Sequence, residues 1–412
     1  MQPPVARSTI FSRRRGIVLT HPALQAVSIT VRPIPEFLML LQRIAGIAAL
    51  TLASAACAAA APDQLDAIVK AAMAGSQVPA VGAVILRDGA IAAQTVQGRR
   101  RNDQPQRAGA DDVWLIGSTG KVMTVAMIAR LAERGVLAWD APLATMLPEL
   151  AAGMLPEYRQ LTLLQLLSHR SGLPRDLLDL KGAEHFFGDT RPTGQQRLAY
   201  IAAALKDKPD VAPGTAFAYS NTGFLIAAAI AEKATGESYE ALMRKEVFAP
   251  LAMRGVGFGN TGEGQNRGHQ HGKPMSRMVK FDDGAPAMFA PAGFLHMSLA
   301  DWARFNLDQL AGGQGKGQLL TPASYKLMQT AQPGSPAGLD WGVQASVAGR
   351  AGPALVHQGS DGNWLAIAVL FPEQGSGALV VANAAEEMGA DKVLNGIFGK
   401  LFPTLSPASK RP

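Results

Sequence analysis

The chain has 412 residues, 48% of them hydrophobic, with a formal charge of +7 and one cysteine, Cys57. That length allows a large core, as one two-layer unit or two domains. Residues 1–61 hold six arginines against the single acid Glu36, leaving +2 for everything after, so the charge gives no sign of a nucleic-acid surface, and the lack of cysteine beyond Cys57 excludes thiol chemistry and cysteine-based metal sites there.

Residues 1–38 are polar and irregular and read as a non-structural extension, with Met39 the natural start of the signal segment. Ser12-Arg13-Arg14 is similar to a twin-arginine signal, but no apolar stretch follows closely. Residues 39–61 read as a secretory signal peptide: Arg43 as the positive flank, Ile44 to Ala53 as the apolar core, and an Ala-rich exit with cleavage after Ala60. The run approaches membrane-spanning length, yet its second half is alanine, which gains little from lipid. Cys57 follows Ser54-Ala55-Ala56, a poor lipoprotein box. The protein is therefore expected to be exported to the periplasm, with loose membrane association only if the signal is retained or lipidated. An exported domain of this size needs no disulfides.

Pro62 to Ser76 carries Leu65, Ile68, Val69 and Ala72 at helical spacing. Ala80–Leu86 and Ala90–Val96 read as a hairpin about Arg87-Asp88-Gly89, followed by a charged loop, Arg99 to Asp112. A long apolar helix follows Ser118 and ends at Arg134-Gly135. After the Pro-punctuated Trp139–Leu143, helices are predicted over Leu161–Leu167, Gln195–Leu205, Thr222–Thr235 and Tyr239–Phe248. Gly257 to Lys273 reads as a Gly-rich loop, with helices at Ala300–Ala311 and Pro322–Thr330. Strands are predicted at Gly342–Val347, Ala354–Gln358, Trp364–Phe371 and Ala378–Ala384, then a last helix, Glu386–Leu401. Strands at both ends and helices between them give an α/β (α+β) class: one antiparallel sheet built from both termini and flanked by helices, with an all-helical domain inserted over about 125–290. The domain is expected to span 62–402, with a mobile tail over 403–412.

The stretch Ile116 to Thr124 places Ser118 and Lys121 three residues apart, on one face of a helix start. A serine hydroxyl is a weak nucleophile until a neighbour takes its proton, and a lysine against an apolar helix can do so because burial disfavours its charged form. The plainer alternative makes Ser118 an N-cap and Lys121 a first-turn surface residue. A phosphate loop fails on two counts, since Leu115 stands where its first Gly belongs and Val122 where Ser or Thr belongs.

Two later stretches join this one: Tyr219-Ser220-Asn221, opening a helix, and His357-Gln358-Gly359-Ser360, ending a strand. In this order the three resemble the serine β-lactamase and penicillin-recognising hydrolase superfamily, in particular its class C-like branch of related esterases and DD-peptidases, which carries Ser-x-x-Lys, Tyr-x-Asn and Lys/His-x-Gly. Leu163 to Pro174 resembles that branch's HLLTHTSGLP segment, Pro213-Gly214 its PG…YSN segment and Pro291-Ala292-Gly293 its PAGGL turn. The likeness covers roughly Gln64 to Leu401.

The resemblance implies a β-lactamase/transpeptidase-like fold and an acyl-serine mechanism without cofactor or metal. Ser118 would be the nucleophile, Lys121 would hold or take its proton, and Tyr219 would be the general base and acid, its phenolate made accessible by Lys121. Asn221 would hold Lys121 and the substrate amide, or simply cap the helix at Thr222. Backbone N–H groups of Ser118 and Ser360 would form the oxyanion hole, with Gly359 allowing close approach. His357 departs from the β-lactamases proper, which carry Lys there; a mostly neutral imidazole is less suited to a substrate carboxylate. An esterase or DD-peptidase-like enzyme acting on a small molecule or peptidoglycan peptide is thus favoured over an efficient β-lactamase, the alternative being a penicillin- or peptide-binding protein with little turnover. His269-Gln270-His271 lacks an acidic third ligand and reads as structural, His169 and Asp140 read as architectural, and Trp364 either lines the pocket or packs in the sheet.

Overall fold

The computed structural model describes residues 62–177, 186, 189–275 and 287–406. The extension, the signal segment with Cys57, and the last six residues of the expected tail lie outside that range.

The chain enters as helix α1 (Pro62–Met73) and the hairpin β1 (Ala80–Arg87) and β2 (Ala90–Gly98), followed by the short strand β3 (Val113–Leu115) and helix α2 (Lys121–Glu133). Short helical turns lead to α3 (Thr193–Ala204) and α4 (Thr222–Thr235). The strands β4 (Gly257–Phe258), β5 (His269–Gln270), β6 (Lys273–Pro274) and β7 (Leu295–Ser298) precede α5 (Leu299–Gly313) and α6 (Pro322–Gln329). The chain closes with β8 (Gly342–Val347), β9 (Arg350–Ser360), β10 (Leu365–Phe371), β11 (Ser376–Ala382) and α7 (Ala390–Leu405).

The main sheet has six strands in the order β2-β1-β11-β10-β9-β8, every neighbouring pair antiparallel. The chain's two ends meet at β1 and β11, with Val84 opposite Leu379. Strands β1, β10 and β11 are nearly continuous apolar runs because both faces of the sheet are covered. The side chains divide with a period of two. Val81, Ala83, Ile85, Val380 and Ile367 meet Leu65 and Val69 of α1 and Leu394 and Phe398 of α7. Val84, Leu86, Leu379 and Leu370 turn to the opposite face and the helical core containing α2, α4 and α5. In α2 and α4 nearly every position is buried, as a helix apolar all round requires. Helix α4 stops at Gly236, whose φ of 73° suits the left-handed end of a helix.

The expected class and sheet are thus present, with local differences. The Gly-rich loop contains β4, β5 and β6. Strands β3, β7 and β4 pair in a second sheet that two- to four-residue runs do not announce in sequence. The last helix runs through Pro403 to Leu405, beyond the expected start of the tail, because Phe402 and Leu405 are buried against the sheet.

Candidate active site

The nucleophile candidate sits where a strand becomes a helix. After β3, Ile116 donates its N–H to Leu295 O at 3.1 Å, and Gly117 turns the chain with φ of 55°. Residues Gly117–Gly120 form one tight 3-10 turn, and α2 starts at Lys121. Gly is required at 117 twice over: the left-handed φ favours it, and a Cβ there would lie 2.6 Å from Gly359 C and Ser360 N. Ser118 is no N-cap, since Ile116 holds that position and the turn has no side-chain cap.

Lys121 is fully buried. Its Nζ donates to Ser118 Oγ at 2.9 Å and to the carbonyl of Ala292. The Pro291-Ala292-Gly293 segment therefore docks on α2, where Pro291 O also accepts from Thr124 Oγ1 at 2.9 Å. Burial is the main reason that the Lys121 pKa falls to about 7; Arg175 adds to the fall, while Asp340 and Asp176 oppose it.

Tyr219 completes the cluster from another part of the chain, its phenol donating to Ser118 Oγ at 2.9 Å. The expected phenolate is not favoured. Burial raises the Tyr219 pKa above its usual range and Asp340 raises it further, outweighing Arg175 and the Ser118 hydrogen bond. Tyr219 is a neutral phenol beside an easily neutralised lysine.

Asn221 stands otherwise than expected. Its Nδ2 donates to Asp176 Oδ1 at 2.9 Å and Oδ2 at 3.2 Å, with no hydrogen bond to Lys121. Nor does it cap α4: Ser220 Oγ accepts from Gly223 N–H at 3.3 Å instead. Asn221 Oδ1 is buried without a hydrogen-bond partner. Arg175 lies over the Tyr219 ring at 4.8 Å.

Strand β9 forms the facing wall. A Cβ at Gly359 would come within 2.4 Å of Ile116 O and 2.5 Å of Ser118 N, so strand and nucleophile turn touch backbone to backbone. Ser360 follows, its hydroxyl accepting from Gly362 N–H at 3.0 Å. His357 is 6% exposed and does not present a free ring nitrogen to the cavity. Its Nδ1 faces Gln358 O at 3.0 Å and its Nε2 faces Asp340 Oδ2 at 2.7 Å.

Asp340 has no counterpart among the residues singled out from sequence, and His169 is more than the architectural residue expected there. His169 Nε2 meets Asp340 Oδ1 at 3.0 Å, and its ring stacks on Tyr219 at 4.3 Å. Burial penalises the Asp340 charge, but the two imidazoles outweigh it and hold the carboxyl well below the usual carboxylate range. Burial lowers the His169 pKa against the pull of Asp340. The sequence signal is an acid between Leu339 and Trp341, an apolar setting in which a carboxylate needs a partner. His269 and His271 do not act together, as one is buried against Asn383 O at 2.7 Å and the other is exposed beside Glu387. Asp140 is exposed, and Trp364 packs edge-on to Trp114 at 6.1 Å. Among the described residues, no group of three or more His, Cys, Asp or Glu side chains is placed to hold a metal ion.

The Beta-lactamase family signature matches residues 65–396. The chain belongs to that family. It is 32% identical over 174 residues to the D-alanyl-D-alanine-carboxypeptidase/endopeptidase AmpH of Escherichia coli (strain K12), covering 42% of this chain and 43% of that one. It is 30% identical over 209 residues to Esterase EstB of Burkholderia gladioli, covering 49% and 52%. The chain thus spans about half the length of the curated relatives it matches. The solved D-stereospecific amidohydrolase from Streptomyces sp. shares the fold, with a TM-score of 0.63 and 24% identity over 82% of this chain and 98% of that one.

The Gly359 contact yields a sharp expectation. Gly359→Ala forces the Ser118 turn and β9 apart and should lower kcat/KM for an activated ester about 10²-fold or more, the scale of losing an oxyanion donor. Activity within about threefold of wild type would show that the two backbones have room to spare.

Proposed function

We propose that this protein is an exported serine hydrolase that cleaves an amide or ester through an acyl-serine intermediate. One observation carries the reading: a buried lysine amine and a neutral phenol each lie 2.9 Å from one serine oxygen. Such contacts are within hydrogen-bond reach for proton transfer.

Lys121 is the base. With a pKa of about 7, about half of it is free amine at neutral pH, against roughly one in 2,500 for an ordinary lysine. It takes the Ser118 proton as Oγ attacks the substrate carbonyl. The carbonyl oxygen gains the negative charge and accepts from the backbone N–H groups of Ser118 and Ser360. As the tetrahedral adduct collapses, the Tyr219 phenol protonates the departing nitrogen or oxygen, and the proton held by Lys121 restores the phenol. Water then enters by the reverse sequence and releases the acid. The acid–base pair is worth about 10²–10⁴-fold, and each oxyanion donor about 10²–10³-fold.

An esterase or DD-peptidase-like activity fits better than efficient β-lactam turnover, because His357 has both ring nitrogens engaged and offers a substrate carboxylate nothing to bind. The relatives point the same way, one named as a carboxypeptidase/endopeptidase and one as an esterase. Export is proposed from residues 39–61. Among the described residues no helix is long and apolar enough to cross a membrane.

Ser118→Ala, tested beside wild type on p-nitrophenyl esters, a chromogenic cephalosporin and D-Ala-D-Ala peptides, should fold normally and lose all turnover. Retained hydrolysis, or a stable stoichiometric adduct of wild type with every substrate, would overturn the reading. In wild type, kcat/KM for a neutral ester should rise with pH through about 7, as Lys121 loses its proton. No fall is expected up to about pH 10, since Tyr219 titrates above its usual range. A limb near 10 in place of the one near 7 would make the phenolate the base. Mass spectrometry of protein recovered from the periplasm should show Ala61 as the first residue; an intact residue 39–60 segment would refute cleavage.

A further inference from the structure

Three distant segments meet at one carboxylate. Asp340, in the loop before β8, is buried with His169 Nε2 at 3.0 Å on one oxygen and His357 Nε2 at 2.7 Å on the other. Hydrogen-bond partners fix the protons. Ser220 donates its N–H to His169 Nδ1 at 3.1 Å, so the His169 proton sits on Nε2 and is given to Asp340. The two His357 nitrogens face Gln358 O and Asp340 Oδ2.

Each imidazole grips one half of the site. His169 stacks on Tyr219, and its carbonyl accepts from Ala218 N–H at 2.7 Å, so it holds the 218–220 loop at three points. His357 precedes Gly359 and Ser360 on β9. His169 and Asp340 both have left-handed backbone, with φ of 56° and 72°. Non-glycine residues keep such conformations where their surroundings over-determine them.

We propose that Asp340 is a positioning residue of this site: its carboxylate registers the Tyr219 loop against strand β9, so that phenol and oxyanion strand meet Ser118 together. This rests on the acyl-serine reading. Its charge has a second effect. Burial favours the free amine of Lys121, with Arg175 adding to it, while the Asp340 charge and that of Asp176 favour the ammonium. The Ser118 hydroxyl and the Ala292 carbonyl accept from that amine, which lies 5.1 Å from the centre of the Tyr219 ring and is coupled by charge to His169.

The test is Asp340→Asn, which keeps the side-chain shape and suits a left-handed backbone, assayed with a neutral p-nitrophenyl ester and normalised by active-site titration. The expected result is a fall in kcat of about tenfold to a hundredfold, with KM within about threefold and the acid limb of kcat/KM moved to lower pH. A residue that merely supported the fold would reduce the titratable fraction and leave the limb in place. His357→Asn opens the same contact from the strand side and should lower kcat by about tenfold or more, while the double variant loses little beyond the worse single. Unchanged kcat, an unmoved limb or additive losses would overturn the proposal. Should Asp340→Asn fail to fold, His357→Asn decides, and kcat within about twofold of wild type would overturn it. Ser118→Ala tests the acyl-serine reading separately, so failure of that reading and failure of this proposal remain distinguishable.

Discussion

The whole arrangement depends on hiding a lysine amine from water. Lys121 occupies the first turn of a largely buried helix, and its desolvation favours the neutral amine, bringing its pKa to about 7. A polar group so placed needs hydrogen-bond partners. Here they are Ser118 Oγ and the Ala292 carbonyl, so the groups that satisfy the amine also aim it at the hydroxyl. The apolar packing of α2 and α4 is therefore part of the chemistry as well as of stability.

Around that amine the fold supplies precision through contacts without side chains. Gly117 and Gly359 meet backbone to backbone, and Gly293 lies close behind the same turn. Any Cβ between them would force the serine turn and β9 apart. The polar groups farther out are charge-balanced, with Asp340 between two imidazoles and Asp176 between Asn221 and Arg175. The Tyr219 ring is flanked by His169 and Arg175, one stacked on it and the other lying over it.

Much of this is legible in the sequence, for definite reasons. Ser118 and Lys121 are local partners, so helical spacing alone places them together. Tyr219 and Gly359 are reachable because both lie in short stretches whose order matches a family pattern. Continuous apolar runs identify β1, β10 and β11, whereas β3, β4 and β7 are too short for any period to show. For Asp340 the apolar neighbours Leu339 and Trp341 signal only that a partner is needed, and its partners His169 and His357 are not adjacent in sequence. The same holds for Asn221, whose partner Asp176 cannot be chosen over Lys121 from spacing. The Tyr219 phenol shifts against the sequence expectation because a nearby cation is visible in the sequence and the burial of the ring is not.

The pairing of β1 with β11 sets the order in which function can arise. The serine turn precedes its facing strand β9, and β1 precedes its partner β11, by more than two hundred residues of chain. A nascent polypeptide therefore carries the serine turn before the strand that packs against it, and on the acyl-serine reading the site would stay incomplete until β9 has been made.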